Sequence, residues 1–508
     1  MNTAVVSDLC QSKSFDTKSR NLADDFFRRG DWLSALHVYE AIDGSAVSSS
    51  LLLQIAECHY RLGDYEATFV ASKKAAEFHQ SLLRAHQLHS YAAKALGRLS
   101  DWLDSVAFNY KRSPDHPDYA LDYADAALFG VGDAVTARQI VSRYVDDSVH
   151  GERAQWLNLM SLVFDRSDNY SANQLTVDFR NFANTYIQPQ AKCLLSAKAQ
   201  SQLPPAVRTI GFISPFFTSG TVSSVVMKKF ETLHESGHRL VFFYRGGRFD
   251  SVTVQMKSLA TRWVDCAHFN VLQLNRVLFD SKLDELYDLS GWMDIDVLKA
   301  ISSKPVPLQY KWVGGQLCST GLSCYDGFIT DTTLTPPSSY SLYTEPLLSL
   351  GSCRSEYTLP AYTPKPRMRE CGHSLRKLKQ CGEVVVGVCA PVHFLSRDFL
   401  AALAEFFRTF SVTAQLCFID SSFVTQQAQN RIHKALSVIS PARIKFVVPI
   451  SHEELLHCMN ELDLLVDTFP HSSGIRLLEA KYLKLPVHLF SFDRQLFCER
   501  LALTYTVR

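Results

Sequence analysis

The sequence predicts an α-helical repeat domain followed by two α/β lobes. Three observations lead there. Glycine-marked turns recur at a nearly constant step in the first part. Strand-like apolar runs alternate with helical patterns in the remainder, and a stretch rich in proline and charge divides that remainder in two. The boundaries expected are 1–200 for the repeats, 205–360 for the first lobe, 361–380 for a linker and 381–508 for the second lobe.

The repeats come first. RRGDW, RLGDYEA, ALGRLSDW and GVGDAVTA place glycines at 30, 63, 97 and 132, in steps of 33, 34 and 35 residues. A period of about 34 with helix–turn–helix units is that of tetratricopeptide repeats. Each glycine is expected to end one helix of a hairpin, where a left-handed backbone is needed. Ala35, Ala67 and Ala137 follow where two helices would pack closely. Each unit buries its apolar stripe only against its neighbours. Helical patterns such as GERAQWLNLMSLVF continue to about residue 195.

The α/β part opens with a strand at 208–214. RLVFFY, LDELYDLSG, PLQYKWVGG and YDGFITD follow, with SVVMKKFETLHESG and MDIDVLKAISS as helices between. The second lobe reads EVVVGVCA, then helix DFLAALAEFFRTF, then AQLCFID, RIKFVVP, LDLLVDT and PVHLFSF. Apolar strands alternating with helices indicate parallel sheets. Ligands of such sheets bind beyond the carboxyl ends of the strands.

Composition narrows the function classes. The 508 residues are 46% hydrophobic and 20% charged, with a net charge of +1, so no general attraction to nucleic acid or membrane surface is implied. The 13 cysteines are scattered without CxxC pairs, which fits reduced thiols in a cytoplasmic protein and speaks against a structural zinc site. The first residues carry no secretory pattern, and no apolar run is long enough to span a membrane.

The richest stretch for chemistry is PHSSGIRLLEAKYLKLPV, where a loop after LDLLVDT opens a helix. Free backbone N–H groups at a helix start suit a diphosphate. Ser472 and Ser473 add hydroxyls, and Gly474 allows close approach; the plain alternative is that Ser472 caps the helix. Glu479, inside the helix, could accept two ribose hydroxyl protons.

Several segments, in order, resemble the O-GlcNAc transferase family and its bacterial relatives: RTIGFISPFF, LYDLSGWMDIDVLKAISSKPVPLQYKWVGG, YDGFITDTTLTPPSSYSLYTEPLLSL and RIKFVVPISHEELLHCMNELDLLVDTFPHSSG. The resemblance covers about 205–508, with the repeats matching by architecture. It implies a GT-B fold and transfer of a sugar from a UDP-sugar to a polypeptide side chain, inverting and without metal or other cofactor. It implies an acceptor protein held by the repeats, and leaves open an inactive scaffold or partner subunit. His471, Ser472, Ser473 and Gly474 match the family's His-Thr-Thr-Gly. Glu479 stands about as far before Pro486 as the family's ribose-binding Asp stands before its proline, whereas counting from Gly474 puts Arg476 at that Asp. The family's diphosphate lysine falls on Phe394, with Arg397 or His393 within one turn to supply charge. The first-lobe histidines of the family fall on Gly220 and Ser224, and its acidic residue on Phe216, so no general base is named; His234, His238 and His268 read as structural. Gln316, Ser319 and Thr320 are expected to face sugar or acceptor, with Gly314 and Gly315 allowing backbone approach. The family also continues with bracing helices beyond the point that ERLALTYTVR reaches.

Overall fold

The computed structural model describes residues 16–42, 48–79, 82–166, 170–197, 206–349, 357–360, 362–366 and 384–505. The chain forms two compact units, Met1–Ala126 and Ala127–Arg508.

The first unit is a run of helices: α1 (Asp16–Arg28), α2 (Trp32–Glu40), α3 (Ser49–Leu62), α4 (Tyr65–Phe78), α5 (Leu83–Leu96), α6 (Leu99–Arg112) and α7 (Pro117–Asp125). Each packs on the next. Gly63 and Gly97 end α3 and α5 in the left-handed region, at φ 78° and 71°. The residue after the glycine then starts the next helix. Asp31 and Asp64 accept from the N–H groups of Ser34 and Ala67, so each Gly-Asp pair is a helix stop followed directly by a cap. In the third turn Arg98 takes the Asp position and makes no side-chain cap bond. Ala35, Ala56, Ala75 and Ala92 are fully buried at the helix contacts. Ala67 is only half-buried; Thr68 and Ala71 take the close packing of α4 instead.

The expected repeat domain of 1–200 is divided by the structure. Gly132 (φ 79°) and Asp133 repeat the stop-and-cap pattern ahead of α8 (Ala134–Val141). Yet α8, α9 (Gly151–Phe164) and α10 (Ala172–Phe182) belong to the unit that holds the sheets. The junction is built on Trp292, which is fully buried. The Phe179 and Phe182 rings lie 4.5 and 5.9 Å from it, and the Trp156 indole donates to its carbonyl at 3.3 Å. Lys299 also pairs with Glu152.

The first sheet contains β1 (Thr209–Ser214), β2 (Arg239–Tyr244), β3 (Arg262–Asp265), β4 (Glu285–Asp288), β5 (Leu308–Lys311), β6 (Gly327–Thr330) and β7 (Leu347–Ser349), in the order β3-β2-β1-β4-β5-β6-β7. The second contains β8 (Val385–Val388), β9 (Gln415–Ile419), β10 (Ile444–Val447), β11 (Leu464–Val466) and β12 (Val487–His488), in the order β10-β9-β8-β11-β12. Neighbouring strands pair parallel throughout. Central strands such as β8 and β9 are buried along their whole length, as strands covered on both faces must be. The crossover helices that position the site are α11 (Thr221–Glu235) after β1, α15 (Arg397–Phe407) after β8, α17 (His452–Glu461) after β10 and α18 (Ile475–Tyr482) after β11. In each sheet the order reverses at one place, between β1 and β4 and between β8 and β11, where loops diverge and leave a crevice. Of the expected linker, only 362–366 lies within the described residues. Among these residues no helix is long and apolar enough to cross a membrane.

Candidate functional site

The two crevices share one cavity of about 790 Å³. From the first lobe it is lined by Thr221 and Val225 of α11, the 313–317 loop after β5, and Asp331, Thr333 and Leu334 after β6. From the second it is lined by Cys389, Pro391 and Phe394 after β8, Asp420 after β9, and residues 471–476 after β11. Phe497 and Leu501 close one side.

The 471–474 loop lines this cavity as the sequence suggests, but its donors are directed inward. Asp467, at the end of β11, is 1% exposed. It accepts Ser472 Oγ at 2.8 Å, Ser473 N at 2.9 Å and Ser473 Oγ at 2.6 Å. Burial raises this carboxyl above its ordinary range, against the pull of these bonds. The Ser472 N–H donates to the Cys498 carbonyl at 3.2 Å, and the Gly474 N–H to Ser472 Oγ at 3.1 Å. Ser472 is therefore not the cap of α18; Gly474 holds that position at φ 59° without a side-chain bond. His471 donates from Nδ1 to the Ser472 carbonyl at 2.8 Å, which leaves Nε2 an acceptor while the ring is neutral. Burial pushes the His471 pKa down to about 4, and the Phe394 ring lies 4.0 Å from the imidazole.

Glu479 does not line the cavity. Its side chain is wholly buried, and it accepts Arg476 Nη1 at 2.8 and 2.6 Å and pairs with His452 Nε2 at 2.7 Å. The His452 Nδ1 faces the Tyr362 hydroxyl at 2.8 Å. Burial opposes ionisation of Glu479, and the adjacent Arg476 overcomes it, holding the carboxyl below its usual range. Arg476 is the member of this chain that lines the cavity. The frame counted from Gly474, which sets Arg476 against the family's acid, thus describes the cavity wall better than the frame that selects Glu479.

The other expected contacts divide. Gln316 lines the cavity and donates to the Ile329 carbonyl at 2.9 Å. Ser319 and Thr320 are turned into the lobe, where Ser319 Oγ and the Thr320 N–H donate to Glu345 at 2.7 and 2.6 Å. Gly314 and Gly315 do allow close approach, but to their own lobe: an added Cβ would lie 2.1 Å from the Leu289 carbonyl and 2.0 Å from that of Ser290. Arg397 is half-exposed on α15 and pairs with Asp165 at 3.1 Å, away from the cavity lining. His393 packs against Phe129, Phe164 and Phe394, and burial lowers its pKa to about 3, so it supplies no charge near neutrality. His234 and His238 bond to backbone, at the Leu259 carbonyl and the Arg208 N–H.

Two curated relatives and one solved structure are similar to this chain. A probable UDP-N-acetylglucosamine–peptide N-acetylglucosaminyltransferase SPINDLY of Solanum lycopersicum is 19% identical over 310 residues, 56% of this chain and 30% of the relative. Its Arabidopsis thaliana counterpart is 26% identical over 162 residues, 31% of this chain and 17% of that one. An O-GlcNAc transferase mutant from Thermobaculum terrenum superposes with a TM-score of 0.77 at 20% identity, covering 91% of this chain and 86% of that one. The chain is similar to these O-GlcNAc transferase-type proteins, and the structural likeness shows a shared fold. Its fold is tetratricopeptide-like repeats followed by a GT-B pair of lobes. No protein-family model matches the sequence. The chain spans less than a third of the length of the curated relatives it matches. Against the resemblance read from the sequence, the cavity departs at Arg476, Phe394 and the inward-turned serine loop.

Proposed function

We propose that the chain is a cytoplasmic protein glycosyltransferase that moves a sugar from a UDP-sugar to a polypeptide side chain, with inversion and without a metal. The repeats would hold the acceptor polypeptide. The observation that carries this reading is the cavity itself. It lies at the carboxyl ends of two parallel sheets, spans both reversals of strand order, and has the volume of a small-molecule site. An acceptor hydroxyl or amide entering opposite the 471–476 loop would attack the anomeric carbon as the nucleoside diphosphate departs.

The test is transfer. The full chain is incubated with UDP-N-acetylglucosamine or UDP-hexoses and a peptide library, and products are read by mass. Addition of one sugar residue, suppressed by excess UDP, is the expected result. No addition with any donor, together with no nucleotide binding, would remove the reading.

A second reading, a non-catalytic relative that scaffolds a partner protein through its repeats, is favoured by Phe394. An aromatic ring packed at a tilt against a neutral histidine occupies the cavity wall after β8, where a departing diphosphate needs positive charge. Repeat-dependent protein binding without nucleotide affinity is its signature.

A further inference from the structure

We infer that the positive charge of this cavity has been relocated to Arg476, and that Arg476 grips the diphosphate of a nucleotide ligand. The inference rests on the nucleotide-sugar reading above and names the group that would serve it.

The argument starts from what surrounds the cavity. Asp331 and Asp420 line it and would repel an anion. Phe394 is uncharged, and burial keeps His471 neutral around pH 7. The hydroxyls and N–H groups of Ser472 and Ser473 go to Asp467 and Cys498, not to the cavity. Lys481, on the last turn of α18, also lines the cavity, at its exposed edge, whereas Arg476 is the cation held inside it. Arg476 lies in the first turn, next to the reversal between β8 and β11, close enough to feel Cys389 at the end of β8 and Asp420 after β9.

The guanidinium is also prepared for a second partner. Both of its described hydrogen bonds leave from Nη1 and end on Glu479. A guanidinium has five N–H donors, and a phosphate takes two of them in parallel. The Nε and Nη2 edge makes no hydrogen bond among the described residues. Glu479 is fixed in turn by His452, and His452 by Tyr362, so the arginine is held in one orientation before any ligand arrives. The Tyr357 hydroxyl lies beside Glu479, and Tyr357 lines the cavity wall. Glu479 is thus a positioning residue, and the contact itself belongs to Arg476.

The test is calorimetric titration of the full chain with pyrophosphate, UDP, GDP, UMP and uridine. It compares the unaltered protein with Arg476→Lys, Arg476→Gln and the double variant Arg476→Gln/Glu479→Gln. The double variant is included because Arg476→Gln alone leaves a buried carboxylate without its cation. The expected result is at least a tenfold loss of pyrophosphate and diphosphate affinity in both glutamine variants, a smaller loss for UMP, and uridine unchanged within twofold. The lysine variant should fall between. Diphosphate affinity unchanged within twofold in the double variant would overturn the inference and leave the nucleotide reading standing. So would an equal loss for uridine and UDP, which would place Arg476 on the nucleoside. Absence of pyrophosphate and nucleotide binding by the unaltered protein would overturn both.

Discussion

Two glycines show how differently the same residue can be required. Gly30 adopts φ 77°, with space for a Cβ, its nearest neighbour being Trp32 at 3.8 Å. Gly315 adopts φ 59°, with a carbonyl 2.0 Å from the Cβ site. Gly30→Ala should cost about 1 kcal/mol, the left-handed penalty alone. Gly315→Ala should cost well over ~2 kcal/mol, because the Ser290 carbonyl must also move. Thermal or denaturant melting of the two variants tests the contrast. His471 offers a pH test. Its pKa falls from about 6.5 unfolded to about 4 in the native protein. Below pH 6.5 the unfolded chain therefore binds the extra proton, and stability falls with pH until the native value is reached. Between pH 7 and pH 5 this histidine alone should remove about 2 kcal/mol. His471→Asn, which keeps a donor for the Ser472 carbonyl, should flatten the melting-versus-pH curve over that interval. At this scale the sequence was partly legible. The 471–474 loop could be found because a strand end, small residues and a helix start are adjacent in the chain. The destination of its donors could not, because Cys498 lies far along the chain and Asp467 serves equally well as an ordinary strand end. The Arg476–Glu479 pair at i,i+3 was open to sequence reading, yet its consequence, that the glutamate is withdrawn from the cavity, needs the burial around it.

Elements were legible where their signal is local. The Gly-Asp turns fix helix ends within a few residues, and the buried central strands announce themselves as apolar runs. The two strands that carry no such run, β3 and β7, form the edges of the first sheet, and their residues are partly exposed or exposed. An edge strand covers less apolar surface, so its sequence is less hydrophobic. The helices after Ala127 are the opposite case. Their sequence continues the helical pattern of the repeats, and only contacts such as Trp156 with Trp292 reveal that they pack with the sheets. The period of a repeat describes each unit and its neighbour, and does not say where the run joins another body.

For the whole molecule, the parallel strand order and the reversals are consequences of alternating strands and helices, which is why the two-lobe architecture could be anticipated. The charge balance of the cavity could not, since it depends on which of Arg397, His393, Arg476 and Glu479 face inward. The central claim is that this cavity binds a nucleotide-sugar. It is tested most directly by thermal melting of the full chain with and without millimolar UDP and UDP-sugars, because a ligand that binds only the native state raises its stability by about 2.7 kcal/mol at a hundredfold excess over Kd. A rise of several degrees with UDP and its sugars, absent with uridine, is the predicted result. An unchanged melting curve with every nucleotide and nucleotide-sugar at millimolar concentration would contradict it.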